Sequence, residues 1–420
     1  MANSCDIHKN NYLCKHIIYV YKSIKQHHKM ITKITENIKY VGCDDPELDL
    51  FESQYSLPEG MCYNSYVIID KHPTILDTID HRCEEEWLQK VESALDGQKP
   101  EYLIVHHMEP DHSAGIKALI EKYPEIKIVC SLAASKFLGQ YNEDLDFTNR
   151  TIIVKENDTL SLGNHTLQFI AAPFIHWPEV IMTYVQEEQI LFSADGFGKF
   201  GVYDADADDW ACEARRYYFN ICGKYGVQVS KVLDKVANLP GVKAIAPLHG
   251  PVLEGEKMKE ALRLYHIWAH YEVETPGVFI AYASIHGGTK KAAEKMRDIL
   301  LEKGCPKVSI ADLAREDMAE AIEDAFRYGT LLCCASSYDA DVFPPMHFFL
   351  HKLAMKAYQN RRIALLENGT WAPSAGKAMK ALIAPMKNIT LLEPVVTIKS
   401  RMHQTDIENM EKLADAILAE

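Results

Sequence analysis

Short apolar runs alternate with polar loops and with segments of helical periodicity through most of this chain. Between residues 30 and 270 an alternating stretch at 31–41 is followed by runs that predict strands at 65–70, 74–77, 102–105, 127–130, 151–154, 166–171, 180–185 and 189–193. Helical spacing covers 84–95 and 116 to about 123. Strands that meet short helices in this way predict an α/β sandwich.

A second pattern begins after Pro276-Gly277, which punctuates the chain. Apolar strands are predicted at 278–282, 308–310, 330–335, 362–366 and 390–392, and they alternate with helices, the first of which starts at 290. This alternation predicts a flavodoxin-like, doubly wound parallel sheet. A chain of 420 residues is expected to form more than one domain, and we place the domains at 30–270 and 276–420.

Residues 1–29 differ from the rest, because they hold five lysines and a single acid, Asp6. A targeting presequence for an organelle would explain the basic character, but the segment has no arginine and no clear apolar core with a cleavage site. We therefore interpret it as a disordered extension, with Met30 as the working start, and expect a cytoplasmic protein.

The strongest chemical signal is the loop His107-Met-Glu109-Pro-Asp111-His112, directly after the predicted strand 102–105. Alternate residues of an extended segment point the same way, so His107, Glu109 and Asp111 are expected to converge, with His112 beside them. Pro110 and Gly115 are expected to keep the loop out of regular structure. A solvated loop that caps a helix is the alternative. Two carboxylates and two imidazoles are more than one ion needs from a single loop, which favours a two-metal site.

Three later loops carry further candidates at strand ends, namely His176, Asp195 and His249. Each alone is weak evidence, but strand ends in a sandwich gather at one edge, so their loop residues can meet. Histidines without such a setting are interpreted as structural: His106, His165, His266, His270, His347 and His351.

In the second half a hydroxyl- and glycine-rich loop lies between a strand and a helix start, an arrangement that cradles phosphate with backbone N–H groups. Its residues are Ser284, Ile285, His286, Gly287, Gly288 and Thr289. It lacks the lysine of a nucleoside triphosphate loop and the spacing of a dinucleotide loop. Two further loops at carboxyl ends of strands are predicted to flank a ring system, with Ser336, Ser337, Tyr338, Asp339 and Asp341 in one and Asn368, Gly369, Thr370 and Trp371 in the other.

The composition of the chain argues against several classes of function. The formal net charge of −14 argues against nucleic acid or an anionic membrane as main partner. No apolar run approaches the ~18 residues of a transmembrane helix. The 11 cysteines form no C-x-x-C pair, which excludes an evident zinc ribbon or rubredoxin-type knuckle and fits a reducing compartment.

Together these motifs resemble the flavodiiron proteins, also called A-type flavoproteins, over about residues 30–420. The first half is similar to a metallo-β-lactamase-like αββα sandwich, in which Glu109 replaces an imidazole of the usual zinc loop, a change that suits iron. The resemblance implies a non-heme diiron site. One iron would take His107, Glu109 and His176, the other Asp111, His112 and His249, with Asp195 bridging.

The resemblance also implies FMN in the second half, with its phosphate on 284–289, although the 336–341 loop departs from the family pattern. The implied activity is reduction of O2 to water, of NO to N2O, or both. Electrons would come from rubredoxin, or from a deazaflavin coenzyme in some lineages, to a head-to-tail homodimer or a dimer of dimers. Tyr217 or Tyr218 is a hypothetical proton donor.

Two other interpretations stay open at this point. A metal-dependent hydrolase would have no use for FMN or for Glu109. A diiron–flavin O2 sensor would keep the same ligands and react only slowly, so sequence does not separate it from a reductase.

Overall fold

The structure is a computed structural model that describes residues 32–205 and 209–419. The interpretation of residues 1–29 therefore lies outside the described residues. Three sheets of five or more strands organise the described part of the chain, and two antiparallel two-stranded sheets accompany them. The strands, in chain order, are β1 Thr32–Lys33, β2 Ile38–Tyr40, β3 Cys43–Asp45, β4 Leu50–Phe51, β5 Tyr55–Ser56, β6 Met61–Tyr63, β7 Tyr66–Ile68, β8 Thr74–Leu76, β9 Tyr102–Ile104, β10 Lys127–Cys130, β11 Thr151–Ile153, β12 Thr159–Ser161, β13 Thr166–Ala171, β14 Ile181–Val185, β15 Ile190–Phe192, β16 Ala244–Ala246, β17 Leu253–Glu254, β18 Thr275–Ala283, β19 Val308–Asp312, β20 Tyr328–Tyr338, β21 Asp341–Val342, β22 Gln359–Asn368, β23 Lys387–Leu391 and β24 Val396–Ile398.

Helices cover the sheets. The α-helices are α1 Glu84–Leu95, α2 Pro110–Ser113, α3 Ile116–Lys122, α4 Leu132–Tyr141, α5 Trp210–Ile221, α6 Gly226–Ala237, α7 Gly255–Ala269, α8 Gly288–Glu302, α9 Met318–Arg327, α10 Pro344–Met355, α11 Ala375–Ile383 and α12 Gln404–Leu418. Single 3-10 turns lie at His81–Cys83 and Gly223–Tyr225. The predicted helix at 84–95 has the predicted bounds, and three glutamates in its first turn favour its N-terminus through the helix dipole.

The first two sheets form a sandwich. Their orders are β1-β2-β7-β8-β9-β10-β11 and β12-β13-β14-β15-β16-β17. Alternate residues of facing strands, such as Ile68 and Ile104 from one sheet and Phe169 and Phe192 from the other, share one buried cluster. The opposite faces of both sheets are also buried, against helices. The predicted α/β sandwich is therefore present as helix, sheet, sheet and helix layers.

The third sheet has the order β19-β18-β20-β22-β23, with every neighbouring pair parallel. Numbered within this sheet, the order is 2-1-3-4-5, the flavodoxin-like arrangement. Its switch point lies between β18 and β20, where the first two ligand loops predicted in this half begin.

The break predicted at Pro276-Gly277 is wrong. Strand β18 begins at Thr275 and runs through both residues, with a register shift between Thr275 and Val278. Such a bulge tolerates a proline that cannot donate to the ladder. The alternating stretch 31–41 likewise becomes the antiparallel pair β1 and β2, joined by a turn. The domain bounds stay predictions.

Candidate metal centre and flavin edge

The predicted metal ligands lie where strands end. His107 follows β9, His176 follows β13, Asp195 follows β15 and His249 follows β16. Strands β13, β15 and β16 run in the same direction, since β14 is antiparallel to both β13 and β15, and β15 is parallel to β16. Their carboxyl ends therefore open at one edge of the sandwich, where the loop after β9 also ends.

The loop 107–112 differs from its prediction beyond Glu109. Pro110 is the first residue of the short helix α2 and does not keep the loop irregular, because proline is well suited to the first helical turn. Asp111 and His112 lie on this turn, so they do not continue the alternation of an extended segment. The four side chains consequently divide between two groups.

The first group contains His107, Glu109, His176 and one oxygen of Asp195. The Glu109 Oε2 atom lies 3.2 Å from His107 Nε2 and 2.9 Å from His176 Nε2. The Asp195 Oδ2 atom lies 3.6 Å from His107 Nε2 and 3.2 Å from His176 Nε2. Four donor atoms thus face a common point.

The second group contains Asp111, His112 and His249. Asp111 Oδ2 lies 3.4 Å from the Nε2 atom of each imidazole. The other carboxylate oxygen of Asp195, Oδ1, lies 3.3 Å from His112 Nε2 and 3.9 Å from His249 Nε2. Asp195 therefore presents one oxygen to each group. We call the two groups together the candidate metal centre.

The donor set fits two cations. Among the described residues, neither oxygen of Asp111 or of Asp195 has a hydrogen-bond partner, although all four atoms are buried. A buried polar group without a hydrogen-bond partner costs about 1–3 kcal/mol, and a charged group costs more. The Nε2 atoms of His112 and His249 also face each other at 3.1 Å, which suits two lone pairs that share a cation.

Without cations, the buried carboxylates favour the protonated forms of His107, His112 and His176. Burial raises the pKa of Asp195, but His107, His112 and His176 outweigh it and hold that pKa well below its usual range. Burial likewise opposes ionisation of Glu109, yet His107 and His176 lower its pKa to about 2. Conversely, Asp195 and Glu109 overcome burial and raise the pKa of His176 to about 9. Metal ions would replace these protons.

Sequence reasoning missed Glu179, which fixes the orientation of a predicted ligand. His107 Nδ1 donates to Glu179 Oε1 at 2.7 Å, and the same oxygen accepts from the Met108 backbone N–H at 2.9 Å. The hydrogen bond leaves Nε2 of His107 free to face the metal centre. The sequence feature that could have identified Glu179 is its position in the same loop as His176, three residues later. His249 is oriented in the same way, by donating from Nδ1 to the Cys62 carbonyl at 2.7 Å.

Aromatic rings wall the centre. The His249 ring lies 5.6 Å from both Phe51 and Tyr217, and the His107 ring lies 5.2 Å from Trp177. Of the two hypothetical proton donors, Tyr217 borders the centre, whereas Tyr218 packs 5.3 Å from Trp268. In the part of the chain that the structure describes, the Tyr217 hydroxyl has no hydrogen-bond partner.

The histidines interpreted as structural include two with buried partners. His106 bonds to Asp77 and, through Nε2, to the Thr183 hydroxyl at 2.7 Å. His165 bonds to Asp70 at 2.7 Å. Neither belongs to a group of described residues that could hold a metal ion.

The predicted flavin loops meet at the carboxyl ends of β18, β20 and β22, which we call the flavin edge. Gly287 has φ +84°, a conformation that glycine favours, and its N–H donates to the Ser284 hydroxyl at 3.1 Å. The Thr289 and Ser336 hydroxyls are 2.8 Å apart. The Ser337 hydroxyl instead accepts from the Ser374 N–H at 2.8 Å, so it supports the neighbouring loop.

Sequence reasoning also missed Ser400 at this edge. Its carbonyl and N–H both bond to the Asn368 amide at 3.1 Å, and its hydroxyl bonds to Thr370 at 2.9 Å. The overlooked signal was the β-branched run of β24, which places Ser400 at the end of another parallel strand.

The two aromatic residues predicted to flank a ring are exposed, Tyr338 by 45% and Trp371 by 91%. Ile285 and His286 of the phosphate loop are exposed as well, whereas Thr289 is buried. An indole left in solvent costs apolar burial, so Trp371 suits a surface that a ligand or a protein covers.

Within residues 32–205 and 209–419, no helix combines the length and apolar character needed to cross a bilayer.

Comparison with known proteins identifies similar chains. The family model described as "ODP family beta lactamase" matches residues 61–250. A nitric oxide reductase of Moorella thermoacetica is 29% identical over 394 residues, covering 92% of this chain and 98% of the relative. An uncharacterized protein of Methanocaldococcus jannaschii is 30% identical over 328 residues, 76% of this chain and 81% of that protein. An anaerobic nitric oxide reductase flavorubredoxin of Vibrio vulnificus is 28% identical over 354 residues. The matched region covers 81% of this chain and 70% of that protein.

Solved structures agree with the fold. The rubredoxin oxygen:oxidoreductase of Desulfovibrio gigas superposes with a TM-score of 0.86 at 24% identity, over 92% of this chain and 98% of that one. A flavodiiron protein of Giardia intestinalis superposes with a TM-score of 0.84 at 23% identity, over 93% of this chain and 96% of that one. The predicted fold class, a metallo-β-lactamase-like sandwich followed by a flavodoxin-like sheet, is confirmed.

Proposed function

This chain belongs to the flavodiiron protein family, whose members are oxidoreductases, and we propose that it reduces NO to N2O, O2 to water, or both. Relatives named nitric oxide reductase and a structural neighbour named rubredoxin oxygen:oxidoreductase support the two substrates. Removal of these reactive gases would protect the cell, so detoxification is the proposed role.

The observation that carries the proposal is the position of Asp195 between the two ligand groups. Its oxygens face different groups, and none of the described residues gives either oxygen a hydrogen bond. His107, Glu109 and His176 would hold one iron, Asp111, His112 and His249 the other, and Asp195 would bridge them. Two irons held by these residues would supply electrons and binding positions for O2 or NO.

The protein's own side chains have defined tasks in this proposal. Glu179 and the Cys62 carbonyl hold His107 and His249 in the tautomers that present Nε2 to the centre. Phe51 and Tyr217 pack against the His249 ring and Trp177 packs against the His107 ring, and both of these imidazoles are fully buried. The Tyr217 hydroxyl is the group placed to hold a proton beside His249.

The flavin edge would hold FMN, with its phosphate on the N–H groups of 284–289 and its ring between Tyr338 and Trp371. The exposure of these aromatic side chains and the hydroxyl pair of Thr289 and Ser336 support this assignment. Rubredoxin or a similar external donor would reduce the flavin. We propose a head-to-tail homodimer, or a dimer of dimers, as the active assembly.

The test is gas consumption by iron- and FMN-loaded protein with reduced rubredoxin, with O2 and NO in separate anaerobically prepared assays. Sustained turnover of either gas is expected, and the ratio of the rates identifies the preferred substrate. Turnover that stops after a stoichiometric reaction, with both irons and FMN bound, would contradict the proposal in favour of a sensor. Zinc in place of iron, with hydrolytic activity, would contradict it in favour of a hydrolase.

A further inference from the structure

The loop that carries Asp195 is closed by hydrogen bonds within itself. It follows β15 and covers residues 193–198. The Ser193 hydroxyl donates to the Gly196 carbonyl at 2.6 Å, and the Gly196 N–H donates to the Ser193 carbonyl at 3.0 Å. The Gly198 N–H donates to the Asp195 carbonyl at 3.1 Å. The backbone therefore makes two overlapping tight turns, and Asp195 belongs to both.

Two residues of these turns have left-handed backbone conformations although neither is a glycine. Ala194 has φ +50° and Phe197 has φ +67°, so they lie on either side of Asp195. A side chain makes this region of backbone space unfavourable, and residues in it persist only where their surroundings hold them. The orientation of Asp195 thus depends on the contacts that hold these two residues.

Each of the two residues has a partner from another part of the chain. The Ala194 carbonyl accepts from the Leu248 N–H at 2.9 Å, directly before the predicted ligand His249. Phe197 contacts Tyr265 of α7, which is 1% exposed. The Phe197 N–H donates to the Tyr265 hydroxyl at 2.5 Å, and the two rings stack with their centroids 4.1 Å apart. Tyr265 therefore holds both the backbone and the side chain of Phe197.

The orientation of Asp195 decides how it is shared between the two ligand groups. Its Oδ2 atom lies 3.2 Å from His176 Nε2, and its Oδ1 atom lies 3.3 Å from His112 Nε2. A tilt of the loop would bring one oxygen closer to its group and withdraw the other. A residue that holds the loop therefore also sets this balance.

We propose that Tyr265 is a positioning residue that fixes the orientation of Asp195 between the two ligand groups. Its effect reaches Asp195 through Phe197, because Tyr265 belongs to neither ligand group itself. The inference rests on the proposed function, since this orientation matters when Asp195 bridges two irons. Groups that support a metal ligand commonly change the metal affinity when they are removed, although they do not touch the metal.

The test is Tyr265→Phe in the full iron- and FMN-loaded chain, because this change removes the hydroxyl acceptor and keeps the ring stack. Hydrogen–deuterium exchange at the Phe197 amide should be about tenfold faster, as expected when one hydrogen bond is lost. Competition with a chelator should show an iron affinity lower by about tenfold. Magnetic susceptibility should show a changed coupling between the irons, because this coupling depends on the geometry of the carboxylate that they share.

Tyr271→Phe is the matched control. Tyr271 is also buried, and its hydroxyl accepts from the Gly226 N–H at 3.2 Å and donates to the Gly223 carbonyl at 2.8 Å. This variant should lose at least as much stability in urea denaturation, yet its iron affinity and magnetic coupling should equal those of the original chain. A general loosening of the fold would affect both variants, so the pair separates positioning from stability.

Phe197→Leu provides the test if Tyr265→Phe does not fold. Leucine keeps the backbone N–H donor and loses the ring stack, so a smaller decrease in iron affinity is expected. The proposal is overturned if Tyr265→Phe, or Phe197→Leu in its place, leaves the iron affinity and the coupling unchanged, or if Tyr271→Phe changes them equally. Absence of gas consumption by the original chain would contradict the proposed function only, because iron affinity and amide exchange are measured without turnover.

Discussion

Two clusters of buried carboxylates in this protein are neutralised in opposite ways. In the candidate metal centre, the oxygens of Asp111 and Asp195 lack hydrogen-bond donors among the described residues. In the second cluster, which we call the arginine cluster, α5 supplies the counter-charges. Its members are Arg215, Arg216, Glu213, Glu274, Asp317 and Glu323.

The arginine cluster pairs its buried carboxylates without a ligand, although the Arg216 Nε atom has no hydrogen-bond partner among the described residues. Arg215 holds Glu274 with two bonds of 2.7 Å and Glu323 with one of 3.1 Å. Arg216 binds Asp317 at 2.8 Å. Burial lowers the pKa of Arg215, but Glu323 and Glu274 outweigh this and raise it above its usual range.

The difference shows what each cluster is for. Guanidinium groups match carboxylates in a planar, fixed geometry and leave no space between them, which suits a joint between elements. Here they join α5, next to the metal centre, to α9 of the flavodoxin-like sheet. Imidazoles and bare carboxylates leave a point that several lone pairs face, which suits a cation. The helix α5 thus carries the joint on one face and Tyr217 on another.

The largest effect is expected at Asp195. Asp195→Ala should lose turnover of O2 and NO and most of the bound iron, because Asp195 is the only described residue that presents a carboxylate oxygen to each group, while FMN stays bound. Metal analysis, flavin absorbance and gas consumption check this. Asp317→Asn is the control, since its carboxylate serves the arginine cluster and its iron content should be unchanged. Oxidase activity retained in Asp195→Ala would refute the bridging assignment.

The next largest effect is expected in the arginine cluster. Arg215→Met should lower the free energy of unfolding by about 3–5 kcal/mol, because it removes the ion-pair partner of the buried Glu323 and leaves Glu274 with only Trp268 and the more distant Arg327. Urea denaturation of the loaded protein measures this. Arg263→Met removes an exposed arginine that, among residues 32–205 and 209–419, pairs only with Glu260 on its own helix, so its effect should be below about 1 kcal/mol.

A matched double variant sharpens the result. Arg215→Met with Glu323→Gln should recover part of the loss, because one of the two carboxylates that lost Arg215 is then neutral. If Arg215→Met alone is no more destabilising than Arg263→Met, the cluster does not stabilise the joint.

A smaller effect is expected at Glu179. Glu179→Gln should weaken iron binding about 10- to 100-fold, because an amide accepts a weaker bond from His107 Nδ1 than a carboxylate does. Competition with a chelator of known affinity measures the change. Glu188→Gln is the control, since Glu188 accepts from His165 at 3.3 Å outside the metal centre. Equal iron affinity in the two variants would contradict the orienting role.

The sequence was sufficient for most of the longer buried strands and for the metal ligands at their ends, because such strands are continuous apolar runs and the residues that follow them are local in the chain. It missed short strands such as β12 and β24, and with β24 it missed Ser400. It was insufficient where partners are distant. Glu179 meets His107 across 72 positions, and Arg216 meets Asp317 across 101. Local pattern contains no information about such pairs. The division of the 107–112 loop depended on a helical turn shorter than any periodicity can reveal.

Glu320 offers the mildest test, because it lies at the rim of the arginine cluster with half of its side chain exposed, 3.6 Å from Arg216. Burial, followed by Glu213, raises its pKa from 4.5 to about 7, although Arg216 opposes the change. A raised carboxyl pKa means that the folded state binds protons more tightly, so the stability this group contributes is full below pH 4.5 and is lost as pH rises through about 7.

Glu320→Gln should therefore match the original chain at low pH and exceed its stability above pH 7, by less than about 1 kcal/mol because solvent screens the exposed half. Urea midpoints at several pH values check this, with Glu256→Gln, which alters an exposed pair with Lys259, as the control that should show no such crossover. A Glu320→Gln chain that is less stable than the original above pH 7 would show that Arg216 outweighs the repulsion, so that the joint would use this acid as a partner like the others.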